Sequence, residues 1–219
     1  MRQNVSLAEI SDGHLYKAND MVKADCGGCE GCSQCCRGMG SSIILDPYDV
    51  YRLTTGIGKS MQELLATSVE FNVVDGVILP NLKMQGTREA CAYLDTEGRC
   101  SIHPYRPGIC RLFPLGRHYE NGGLFYFLQT GECAKENRSK VKVSKWIDTP
   151  ELKRNEQFKL QWHDLLSAMT DRVAGEDEGK QREENLLLLR LFYLLPYEGT
   201  TDFYSQFTER MEHWNEQIG

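Results

Sequence analysis

The spacing of apolar side chains divides the chain into three stretches. Residues 1–25 are polar with a thin apolar pattern at Leu7, Ile10, Leu15 and Met21, which predicts a short helix followed by a lead-in. Residues 149–219 carry helical periodicity. Thr149-Pro150 supplies a cap and a first-turn proline, and Phe158, Trp162, Leu165, Leu166 and Met169 fall on one helical face. After a charged break over 175–180, a second helix is expected around Leu186 to Leu195 and a third through Phe203, Phe207, Met211 and Trp214.

Between these lies a stretch, 26–148, of mixed signals. It opens on CGGCEGCSQCCRGMG (26–40), where five cysteines and five glycines leave nothing to build a hydrophobic core or a regular helix. Asp46-Pro47 then opens a short helix through Leu53. Ser60 and Glu63 form a capping box that starts another to about Val69. Asp75-Gly76 between apolar runs predicts a hairpin with a type I′ turn. Short strands are expected over Cys100 to His103 and over Leu124 to Gln129. The latter, after the turn Asn121-Gly122-Gly123, is expected to pair with a strand carrying Leu112 and Phe113. The expected fold class is α+β: a lead-in (1–25), an irregular, metal-organised cysteine-rich part with short strands (26–148), and a helical C-terminal extension (149–219) that caps the rest or meets a protein partner.

Composition narrows the function. The 219 residues are 41% hydrophobic and 26% charged, in the globular range. Asp and Glu outnumber Lys and Arg by 31 to 25, which argues against a nucleic-acid binder needing a basic face. Leu186 to Leu195 is interrupted by Arg190 and ends at Pro196, too short to span a bilayer. The N-terminus lacks the apolar segment of a secretory signal. These features point to the cytoplasm, where nine cysteines, an odd number, serve as metal ligands or redox groups rather than disulfides.

The cysteines fall in two groups. The first is Cys26, Cys29, Cys32, Cys35 and Cys36. Cys26, Cys29, Cys32 and Cys36 reproduce the C-x2-C-x2-C-x3-C spacing of bacterial ferredoxins, with Arg37 in place of their proline. Cys29, Cys32, Cys35 and Cys36 give C-x2-C-x2-C-C instead. Neighbouring side chains of an extended segment diverge, so Cys35 and Cys36 can serve separate centres. The second group is Cys91, Cys100, Cys110 and Cys133, with Arg106 and Arg111 flanking Cys110. Cations there stabilise thiolates, but the same arginines also read as structural ion-pair donors. A single cysteine is most often a small buried hydrophobe. Five within eleven polar residues have no apolar neighbourhood to bury them. His103 reads as a surface group before a ligand, and Trp162 and Trp214 as core. Eight cysteines suit iron–sulfur clusters or two zinc sites, since each takes four thiolates. The ferredoxin-like frame favours [4Fe–4S], with zinc as the alternative.

Cys29-x2-Cys32-x2-Cys35-Cys36, Cys91-x8-Cys100-Ser-Ile and Arg106-Pro107-x2-Cys110-Arg111-x-Phe113-Pro114 occur in this order. Over residues 26–135 the chain thereby resembles the CxxCxxCC cysteine-cluster family, zinc- or iron-chelating (YkgJ-like) proteins that share their cysteine region with flagellin lysine-N-methylases. The resemblance implies Cys29, Cys32, Cys35, Cys36, Cys91, Cys100 and Cys110 as ligands, with Cys133 beside them. Cys26 is an addition to the pattern, and His103 stands where the family commonly has Tyr. An enzyme reading rests on that analogy alone. The dinucleotide, P-loop, radical-SAM, G-x-S-x-G and H-E-x-x-H signatures do not occur.

Overall fold

In the computed structural model, which describes residues 6–27, 32–135 and 137–218, short antiparallel strand pairs alternate with short helices before three longer helices follow. In chain order these are α1 (Leu7–Ile10), β1 (Met21–Asp25), α2 (Pro47–Ile57), α3 (Met61–Thr67), β2 (Val69–Val74), β3 (Val77–Leu82), β4 (Met84–Gln85) and β5 (Ala90–Cys91). They continue with α4 (Gly108–Leu112), β6 (Leu115–Glu120), β7 (Gly123–Leu128), β8 (Ser139–Lys142), α5 (Val143–Ile147), α6 (Leu152–Val173), α7 (Glu178–Leu189) and α8 (Phe203–Ile218). The strands pair as β1–β8, β2–β3, β4–β5 and β6–β7, each pair antiparallel. The class is α+β.

Local chemistry accounts for most boundaries. The Asp46 carboxylate accepts from the Asp49 amide at 3.0 Å while Asp49 accepts from Asp46 at 3.2 Å, closing a capping box at the start of α2. Ser60 and Glu63 do the same for α3. Asp75 and Gly76 both take positive φ, as a type I′ turn requires, and β2 and β3 pair directly from Val74↔Val77 outward.

Three expectations need correcting. Leu112 and Phe113 are not in a strand. Leu112 ends α4, Phe113 caps it, and β7 pairs with β6 from Leu115 onward. The reason is the turn, which is the two residues Asn121 and Gly122, both at positive φ, so the register runs back only as far as Leu115↔Leu128. Cys100 to His103 is likewise not a strand. Cys100 makes one bridge to Leu94, and His103–Tyr105 form a 3₁₀ turn, Pro104 lacking the N–H that a ladder needs. Finally, Thr149 does not cap α6. Its hydroxyl donates to Ile147, and Glu151 occupies the cap position without a capping side chain.

The main core joins α2, α3 and the β2–β3 hairpin to α6, α7 and α8. Phe158, Phe203 and Phe207 meet edge-on or stacked with ring centres 4.8–6.0 Å apart. Trp162 and Trp214 belong to this cluster, as expected. The buried Asn185 ties α7 to the hairpin, accepting from the Ile78 amide at 2.6 Å and donating to the Gly76 carbonyl at 3.1 Å. A second, smaller core gathers Val22, Ala24, Leu112, Leu115, Tyr126, Leu128, Val143 and Ile147 between β1, α4, β6–β7 and α5. Among the described residues no helix is long and apolar enough to cross a membrane.

Candidate metal centre

Segments that carry cysteines far apart in sequence come together where residues 36–38 fold back on the β4–β5 region. Arg37, next to Cys36, bridges Ala90, next to Cys91, and the Gly38 amide donates to the Glu89 carbonyl at 2.9 Å. The Leu94↔Cys100 bridge closes the loop between Cys91 and Cys100. The Cys110 turn is brought in by a buried polar lash. The Gly108 amide donates to Asp49 Oδ1 at 2.7 Å, Asp49 is shared with the Asp46 cap, and the buried Lys159 of α6 ion-pairs with Asp46. A Cβ at Gly108 would come within 3.2 Å of Arg117, 3.4 Å of Asp49 and 3.5 Å of Lys159, so only glycine leaves this lash undisturbed. The 3₁₀ turn before it lies on α2: Arg52 donates to the Pro104 carbonyl at 2.5 Å, and the Tyr105 ring lies where a side chain at Gly56 would stand.

The result is a shared electrostatic neighbourhood. Cys36 feels Cys110, Cys91 and Cys100, and Cys110 feels Cys91, Cys100 and Cys35. Burial raises the Cys91, Cys100 and Cys110 thiols, and neighbouring thiols raise them further. Hydrogen bonding splits the adjacent pair: Cys35 is raised as donor and Cys36 lowered as acceptor, so Cys36 ionises first. Two sulfurs take amide donors from two residues ahead, Cys91 from Tyr93 and Cys100 from Ile102, and both bonds favour the thiolate. Arg106 adds a cation that favours the thiolates of Cys35 and Cys100.

Cys26, Cys32, Cys35 and Cys133 line a small pocket with Phe113 and Pro114. All eight described cysteines are half-buried and none forms a disulfide. Cys29 lies outside the described residues. As they stand, no three His, Cys, Asp or Glu side chains among the described residues form a closed cage for a single ion. The fit is therefore a matter of donor chemistry: soft thiols, amide donors and a cation grouped over an apolar floor, since Cys91, Cys100 and Cys110 pack against the main core.

The two flanking arginines separate. Arg106 faces the thiols, whereas the buried Arg111 donates to the Ile147 carbonyl at 3.2 Å and secures α5. His103 is exposed, and Arg106, Arg99 and Arg111 join its desolvation in lowering its pKa. Sequence reasoning missed the Asp49–Gly108 lash with Lys159. Its one legible trace is the Asp46-x-x-Asp49 capping pattern, which reveals a cap but not the second acceptor duty of Asp49.

Residues 28–143 match the CxxCxxCC family, described as a "Putative zinc- or iron-chelating domain". The chain belongs to this family. Comparison with curated proteins and with solved structures found no match.

Proposed function

We propose that this chain binds iron as an iron–sulfur cluster on cysteine thiolates and serves in redox or electron transfer within the reducing cytoplasm. The observation that supports the reading is how the cysteine-bearing stretches are grouped: Arg37 beside Cys36 bridges Ala90 beside Cys91, Cys91, Cys100 and Cys110 pack on one core, and the Tyr93 and Ile102 amides favour the Cys91 and Cys100 thiolates. Four thiolates are the complement of one cluster, and amide donors to sulfur are among the means by which proteins tune cluster potential. When bound, the cluster supplies one-electron chemistry; the chain's own part is to hold it, screen it with apolar neighbours and donate hydrogen bonds to its sulfurs.

Anaerobic purification with iron, sulfide and zinc analysis tests this. The expected protein is brown, with broad visible absorption and matched iron and acid-labile sulfide. Colourless protein with stoichiometric zinc would replace the cluster by a zinc site on the same thiolates. A preparation holding neither metal would overturn metal binding itself.

A further inference from the structure

We infer that the described cysteines serve two separate metal centres, one on Cys36, Cys91, Cys100 and Cys110, the other on Cys26, Cys32, Cys35 and Cys133. The inference deepens the proposed function and rests on its premise that these thiols bind metal.

Three observations divide the set. First, the members of the second group line one pocket, walled by Phe113 and Pro114, in which Cys91, Cys100 and Cys110 take no part. Second, the two groups rest on different cores. Cys91, Cys100 and Cys110 pack on the large helical core, whereas Cys26 and Cys133 hang from the elements around the small one. Cys26 directly follows β1, whose last residue Asp25 pairs with Ser139 of β8 and accepts its hydroxyl at 3.1 Å. Cys133 follows a segment held by Gln129 donating to the Pro114 carbonyl at 3.0 Å and Thr130 to the Ile10 carbonyl at 3.0 Å. Third, the adjacent pair separates them: Cys35 lines the pocket, while Cys36 precedes Arg37, whose bridge to Ala90 sets that end of the run beside Cys91.

Ligand arithmetic agrees. A cluster or a structural zinc takes four thiolates, so eight in one neighbourhood exceed one centre and complete two. In two-cluster ferredoxins the fourth cysteine of C-x2-C-x2-C-x3-C likewise serves the other cluster. Here Cys36, fourth in that spacing after Cys26 and Cys32, is set toward Cys91 by the Arg37–Ala90 bridge. Cys26 precedes the 28–143 family region, so the second centre reaches beyond the shared pattern.

The test uses the full chain, purified anaerobically. The variant Cys26→Ser/Cys133→Ser alters two half-buried residues outside both cores, so its far-UV circular dichroism should match the parent. Its metal content should fall to about half, one four-thiolate complement being lost. An independent reading needs no mutation. Thiol alkylation during chelator titration, mapped by peptide mass spectrometry, should expose Cys26, Cys32, Cys35 and Cys133 in a step distinct from Cys36, Cys91, Cys100 and Cys110. Unchanged metal content in the variant, complete loss of metal, or exposure of all eight thiols in a single step would overturn the division. A parent protein without metal would instead overturn the proposed function.

Discussion

The helical core and the cysteine-bearing segments are ordered by different means. In the core, Leu53, Phe158, Met169 and Phe207 are almost wholly buried, and rings interlock from α6 to α8. In the cysteine segments every described thiol is half-buried, regular pairing is two residues long at β4–β5, and single bridges do the rest. Burial of apolar area holds the first region by itself. The second has too little of it, and under the proposed function metal–thiolate bonds supply what is missing. The comparison teaches where removing metal will be felt and where it will not.

Chelation should break the comparison most visibly. With metal removed, proteolysis within 26–40 and 83–102 is expected to speed by at least about tenfold, while α6 to α8 stay resistant, local opening following thin packing. Limited proteolysis read by mass spectrometry checks this, and equal cleavage of both regions would refute it. Acid should act through the same bonds. Cys91, Cys100 and Cys110 are raised above the usual thiol value, so loading their centre near neutral pH displaces the protons of these three. Metal affinity should therefore fall about a thousandfold for each unit of pH lost, as measured by competition with a chelator of known affinity.

Phe158→Ala attacks the other region and should cost about 3–5 kcal/mol in denaturant unfolding, the range for a truncated core aromatic. Gly108→Ala tests the lash between the two. Its methyl would stand 3.2 Å from the Arg117 guanidinium and touch Asp49 and Lys159, and the cost should be about 1 kcal/mol together with weaker metal retention. Arg106→Gln is the mildest. It removes a cation that favours the Cys35 and Cys100 thiolates, so metal affinity should drop a few-fold with stability unchanged within about 0.5 kcal/mol.

Much of this was legible in the sequence where local chemistry decides. The Asp46 cap with its first-turn proline, the Ser60–Glu63 capping box, the Asp75-Gly76 turn and the helical spacing of Phe158, Trp162 and Met169 depend on neighbours a few residues apart. The cysteine groups could be read for composition but not for partnership, because the bridge from Arg37 to Ala90 and the lash from Asp49 to Gly108 span more than fifty residues. The strand expected at Cys100–His103 failed for a related reason. Its apolar run is short, and the 3₁₀ turn there packs against α2, a contact that periodicity cannot show.

X-ray absorption at the metal edge, on protein purified anaerobically, tests most directly whether cysteines alone hold the metal. The account predicts a first shell of sulfur only, lost together with the metal in Cys36→Ser/Cys110→Ser at the centre those residues hold. A first shell containing nitrogen or oxygen from the protein would contradict it.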